Sequence, residues 1–429
     1  MKTNSIILAL ALMVAAASGA FAQQKTSSPG DTLAAAVAKL SKTVQALERI
    51  KISGYIQAQF QMADTLGAKS FEGGDFAKAS SKRIMVRRGY FKMTYAWNLS
   101  TYVLQINVNE KGFNVRDAYF NLKEPWLNAF SLTGGIFFRP FGSELLFPTN
   151  QRESPELSRV TQTLFPGERD LGTSITFQMP EKSVWHPLKI EAGLFNGNGT
   201  SAETDDKLDF IGRLGLADAT ANKKMTYGIG ASYYNGSVYQ AKKQVYQVAG
   251  IDDTLAFKQL MGDTVPGKYQ KREYIGLDGQ FAFRTLLGTT SLRADYMFGS
   301  QPASDTSSIS PTEKIGAPLY LRKFQGAVVY LVHTFPNSIH SLVFKFDYYD
   351  PNIKIKGDEI GLKPMRSLAS NSTDIAYTTW GFGYFADVNK NLRCTVYYDL
   401  VRNETSRNLK KYDADLKDNV FTVRVQYKF

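Results

Sequence analysis

Residues 420–429 read "VFTVRVQYKF". Phe421, Val423, Val425, Tyr427 and Phe429 fill one set of alternate positions, and Thr422, Arg424, Gln426 and Lys428 fill the other. Successive side chains of a strand point to opposite faces, so this is a ribbon with one oily side and one wet side. The wet side carries a guanidinium near its middle, and nothing after Phe429 covers the ribbon. A bare strand edge invites unwanted pairing. The expectation is that this last strand pairs with the first and the sheet closes on itself.

The same alternation runs back through the chain. In "KISGYIQAQFQM" (51–62), Ile52, Ile56, Ala58, Phe60 and Met62 oppose Lys51, Ser53, Gln57, Gln59 and Gln61. "STYVLQINVN" (100–109), "TTSLRADYMF" (289–298) and "NLRCTVYYDL" (391–400) repeat it. A soluble β-sandwich alternates too. Two features separate the cases. Charge sits in mid-strand on the polar side, as at Arg293, Lys345 and Arg424, and the oily side repeatedly ends in aromatics, as at Trp97, Tyr296, Tyr348 and Tyr398. That pattern predicts a lipid-facing band with interfacial girdles around a watery interior.

The connections carry the reading further. About sixteen strand-like segments begin near 51, 83, 99, 113, 131, 171, 187, 208, 225, 271, 289, 321, 339, 376, 391 and 419. The gaps between them alternate. One series is short, as in "AWNLS", "FPNS" and "DVNKN"; the other holds every long gap, at about 63–82, 140–170, 235–270, 299–320, 351–375 and 403–418. Long loops on one side and tight turns on the other describe an all-β transmembrane antiparallel barrel of about sixteen strands.

The start of the chain points to export. Lys2 precedes an apolar run from Ile6 to Ala17, and Ala20-Phe21-Ala22 is a small-x-small cleavage site. A signal peptide is expected over 1–22, with the mature chain beginning near Gln23. Residues 23–50 form a separate N-terminal segment. Within it Leu33, Val37, Leu40, Val44 and Leu47 recur at spacings of four and three. That spacing suits either an amphipathic helix docked on its own protein or a short coiled coil joining subunits. The barrel is expected over 51–429. Aromatics make up 13% of the chain while its mean hydropathy is −0.25, in keeping with strands greasy on one face only. Cys394, the sole cysteine, excludes an intramolecular disulfide framework. The net charge of +12 with export favours anionic solutes or lipid as partners over nucleic acid.

"RIMVRRGYFKMTYAWNLSTYVLQINV" (83–108), "RDAYFNL" (116–122), "FFRPFG" (137–142) and the polar stretch ending "ERDLG" (168–172) resemble the phosphate-selective porin O and P family. The likeness spans the mature chain. It implies a trimeric sixteen-strand outer-membrane porin whose third external loop, here about 140–170, folds inward and narrows the pore. It also implies that Phe429 is a signal read by the outer-membrane barrel assembly machinery. Candidate pore-lining residues are then Arg139, Arg152, Arg159, Arg169, Glu153 and Glu156 on or beside the loop. Arg88, Lys92, Arg213, Arg293, Arg393 and Arg424 join them on strands. The expected solutes are small anions or neutral molecules, in contact with no cofactor, and the surroundings are outer-membrane lipid and lipopolysaccharide. Acids are interleaved with these bases, at Asp117, Asp278, Asp295, Asp347 and Asp399, which weakens any bare-arginine field.

No catalytic arrangement is legible. His186, His333 and His340 are the only histidines and fall at no metal-ligand spacing with Cys394 or the carboxylates. "NGNG" (196–199) lacks the Lys and Ser/Thr of a phosphate cradle, and no G-x-S-x-G occurs. A non-enzymatic protein is expected. Two alternatives stay open: an adhesion barrel with a plugged lumen and long binding loops, and a soluble secreted β-sandwich.

Overall fold

The structure is a computed structural model and describes residues 29–251, 254–260, 267–312, 315–364 and 367–429. The expected signal peptide, residues 1–22, lies outside the described residues. Residues from Lys51 onward form one compact unit, and the described residues 29–50 belong to another. In the latter, helix α1 (Pro29–Glu48) leaves Val37, Leu40, Val44 and Leu47 of its heptad stripe exposed.

The larger unit is all strand and loop. Its strands are β1 (Ile50–Ala63), β2 (Lys82–Trp97), β3 (Ser100–Asn109), β4 (Gly112–Lys123), β5 (Phe130–Phe138) and β6 (Arg169–Gln178). Next come β7 (Leu188–Phe195), β8 (Asp209–Ala219), β9 (Met225–Tyr239), β10 (Val245–Ile251), β11 (Thr254–Gln259) and β12 (Tyr269–Thr285). Last are β13 (Gly288–Ala303), β14 (Leu319–Thr334), β15 (His340–Asp350), β16 (Tyr377–Asp387), β17 (Leu392–Asn403) and β18 (Val420–Lys428). Sixteen of them close into an antiparallel barrel, each paired with its chain neighbour, except that β9 pairs directly with β12. Closure is made by β1 and β18, with Gln59 opposite Arg424 and Phe60 opposite Val423. All sixteen barrel strands start within two residues of the positions expected from the periodicity.

The packing is inside out relative to a soluble sheet. Ile56, Val425 and Tyr427 are exposed on the outer face, while Gln57, Gln59, Arg424 and Gln426 of the same two strands are buried within. The outward residues of β12 repeat this, with Ile275, Leu277, Phe281 and Phe283 all exposed. A soluble protein does not display so continuous an apolar belt. A closed barrel satisfies every strand edge internally, which hydrocarbon demands. The soluble sandwich is therefore set aside. Tight turns at 98–99, 124–129, 179–187, 220–224, 286–287, 335–339 and 388–391 lie at one end. The long connections lie at the other.

Two elements were not legible. The 235–270 gap holds the hairpin β10–β11, outside the barrel wall, whose Val245–Gln247 pair in parallel with Leu319–Leu321 of β14. The 140–170 loop contains a short helix, α2 (Arg159–Leu164), capped by Ser158, whose hydroxyl accepts from the Thr161 amide.

Candidate functional site

The connection 139–168 runs inside the barrel. Its apolar side chains Phe141, Leu145, Val160, Leu164 and Phe165 are buried against inward aromatics of the wall, among them Tyr234, Tyr274 and Phe324. The wall makes room with small residues. A Cβ on Gly276 would lie 2.6 Å from the Phe141 ring, and one on Gly326 2.6 Å from Val160. Full burial of five such side chains contributes about 2 kcal/mol each, on the order of 10 kcal/mol gross.

Carboxylates pin the same segment. Asp295 accepts from the Ser143 amide and hydroxyl at 2.6 Å each. Asp347 accepts from the Arg159 amide at 2.8 Å. Glu144 accepts from the Ser158 amide at 2.7 Å, from the hydroxyls of Ser158 and Thr161, and from Tyr330 at 2.7 Å. The inward-folded loop is thus seated on β7–β15 and leaves its polar edge facing β1–β4.

Two cavities remain on that polar side. The one nearer the long loops, about 530 Å³, is lined by Arg87, Arg88, Arg116, Lys111, Glu156 and Glu168 among others. The one nearer the turns, about 330 Å³, is lined by Lys92, Gln105, Asp117, Asn150 and Arg169. Tyr90 lines both, with its ring 4.9 Å from that of Tyr55. Charges gather on two loop carboxylates that line the larger cavity. Glu156 takes Arg87 at 2.7 Å, Arg88 at 2.9 Å and Arg424 at 3.1 Å. Glu168 takes Arg169 at 2.7 Å, Arg152 at 3.2 Å and Arg116 at 3.5 Å. Burial by itself would raise both carboxyls; the surrounding guanidiniums outweigh it and hold each well below the usual carboxylate range. Arg169 also reaches Asp117 at 3.0 Å. Six guanidiniums therefore share three carboxylates around the narrowing.

The structure distributes the expected site residues unevenly. Arg88, Lys92, Arg169 and Glu156 line the cavities, with Arg152 and Arg424 behind them on the shared carboxylates. Glu153 pairs bidentately with Arg293 at 2.6 and 3.0 Å, away from the narrowing. Four other expected residues line neither cavity. Arg139, 2% exposed, is locked to Asp170 at 3.0 Å and lines neither cavity. Arg159 is clamped between the rings of Phe71 and Tyr377, at 4.3 and 3.7 Å, so its charge is spent on π-faces. Arg213 and Arg393 are each paired with one carboxylate, Asp278 and Asp387, and line neither cavity.

Arg87 and Arg116 were missed because strict alternation assigns them to the lipid face. Arg87 and Arg88 are adjacent yet share Glu156, so the alternation breaks between them. Arg116 is the extra residue of a β-bulge, since Gln105 faces Asp117 while Ile106 faces Val115. The signal was present in the dipeptides "RR" and "RD". A charge on the lipid face at mid-depth costs about 2–4 kcal/mol, so adjacent charges in a strand imply a local irregularity.

No protein-family model matches this sequence, and no curated protein matches it. Solved structures do match. OmpF of Salmonella typhi, solved with daunomycin, is 13% identical, with 89% of this chain and 97% of that chain covered at a TM-score of 0.52. The outer membrane channel DcaP of Acinetobacter baumannii is 10% identical, with 89% and 97% covered at 0.52. OmpT, an outer membrane protein of Vibrio cholerae in a trimer form, is 8% identical, with 89% and 99% covered at 0.51. At these identities the likeness is one of fold: this chain has the porin-like, sixteen-strand barrel fold of outer-membrane channels.

Proposed function

We propose that this protein is an outer-membrane porin through which small hydrophilic solutes diffuse passively, with anions favoured and phosphate among them. The observation that carries the anion preference is the excess of guanidiniums over carboxylates in the cluster along the two cavities, six against three. Opposing bases and acids weaken but do not cancel such a field, and its effect grows at low salt. The likeness of residues 83–172 to the phosphate-selective porin O and P family supports the same direction. We read the barrel as catalysing nothing, as delivered by a cleaved export signal and as assembled into a trimer; the trimer form of the Vibrio cholerae protein supports the last point.

Planar-bilayer recording tests this. Steady single-channel steps and a reversal potential displaced toward chloride in a KCl gradient are expected, with added phosphate reducing the current. Equal cation and anion permeability at low ionic strength overturns the anion preference. A second reading, a plugged adhesion barrel, is favoured by the dry packing of Phe141, Val160 and Phe165 on the wall. Absence of any conductance from correctly folded protein would select it.

A further inference from the structure

On the outer face of the barrel, β12–β14 carry a row of polar residues directly above the apolar belt. Glu273, Ser300 and Lys323 stand side by side in register. One row toward the turns the same strands present Ile275, Phe298 and Gln325, and the next presents Leu277, Tyr296 and Ala327. Two residues along a strand are about 7 Å, so the charged row sits one such step above the oily one. Down β12 the outward residues stay apolar as far as Phe283, a height of about 20 Å along the axis of a tilted barrel. That covers most of the apolar band of a membrane barrel, about 25 Å tall. The charged row therefore lies at headgroup depth at the end that bears the long loops.

A cavity of about 200 Å³ opens at this row. Lys271, Lys323 and Ser300 line it from the strands, Gln247 from β10, and Lys354 from the 351–376 connection. Glu273 is the carboxylate beside the strand lysines. It holds Lys271 at 2.7 Å, also accepts from Tyr233 at 2.7 Å, and lies close enough to Lys323 to feel its charge. Lys354 is exposed and makes no ion pair among the described residues. Three ammonium groups against one carboxylate, in a recess whose strands turn apolar one row below it, match a ligand with an anionic head and acyl tails. The hairpin β10–β11, which pairs with β14 at the edge of this recess, closes its upper side.

We propose that this recess binds a phosphate-bearing glycolipid headgroup of the outer leaflet. Lys323 and Lys354 would engage the phosphate, Ser300 and Gln247 would supply hydrogen bonds, and the chains would lie against Phe298 and Ile275. The proposal rests on the outer-membrane reading of the barrel.

The test uses the purified full chain in detergent, with retained lipid quantified by native mass spectrometry. The probes are bis-phosphorylated lipid A, the same lipid dephosphorylated, and inorganic phosphate. A surface lysine contributes a factor of about five in affinity for an anionic lipid. The double variant Lys323→Gln/Lys354→Gln is therefore expected to retain about 25-fold less of the phosphorylated lipid. Lys410→Gln, an exposed lysine on another loop, should change nothing. The dephosphorylated lipid should not distinguish wild type from the double variant. Equal retention by wild type and the double variant, both shown folded by unheated gel mobility, overturns the site. Complete displacement of the lipid by millimolar inorganic phosphate overturns the lipid as its occupant. A chain that never enters a bilayer sinks the outer-membrane reading; an inserted barrel blind to phosphorylation sinks the lipid site alone.

Discussion

Glu156 and Glu168 each hold three arginines, and the proposed anion preference rests on this uneven sharing. Glu156→Gln or Glu168→Gln takes the tally from six against three to six against two while keeping the side chain's size. Each variant is expected to raise the anion-to-cation permeability ratio roughly two-fold or more at low salt, as measured by reversal potential. An unchanged or lowered ratio would show that these charges do not face the solute path. The pH dependence follows from the same groups. Both carboxyls are held below their usual range, so their contribution to seating the loop is complete above the ordinary glutamate value of about 4.3. It is lost only as pH falls through the depressed values. Both carboxylates should therefore stay charged from pH 8 to 5, so the difference in current between wild type and Glu156→Gln or Glu168→Gln should hold constant over that range. Residue-level legibility was good for strand charges such as Arg88, which alternation turns inward. It was poor for Arg139 and Arg159, whose burial depends on partners far away in the chain.

At the scale of elements, the inward loop is held chiefly by hydrophobic burial. Buried ion pairs nearly break even against their desolvation, whereas five buried apolar side chains do not. The glycines under Phe141 and Val160 are the seat. Gly276→Val and Gly326→Val keep strand propensity but place methyl groups where the loop packs. Each is expected to unseat the loop and raise single-channel conductance about two-fold or more, by analogy with overpacking costs of about 1–3 kcal/mol at a filled site. The barrel itself should still migrate as a compact species in unheated gels. Unaltered conductance in both variants would mean that the loop does not limit the passage. The span of this loop was evident from its length and polarity. Its apolar seat was not, because Phe141 and Phe165 read as isolated aromatics until the inward glycines of β12 and β14 come opposite them.

The larger unit is a closed wall whose strand pairing runs past the β10–β11 hairpin without it. β9 pairs with β12 along their lengths, from Tyr239–Tyr269 to Met225–Phe283, so β10–β11 is an insertion. Replacing residues 245–259 by a short Gly/Ser link is expected to leave barrel assembly and heat-modifiable mobility intact. Loss of folding in that deletion would show that the hairpin supports the wall. Sixteen strands, their closure and the sorting of long and short connections were determined by sequence alone. The cause is the period-two alternation of oily and wet side chains, a local property that every segment carries for itself. Only the tertiary structure decided which arginines line the cavities and which are spent on partners elsewhere. It alone also showed that adjacent charges at Arg87–Arg88 and Arg116–Asp117 share the interior and that a hairpin overhangs β14. Those facts depend on contacts between residues tens to hundreds of positions apart, whose pairing no local periodicity encodes.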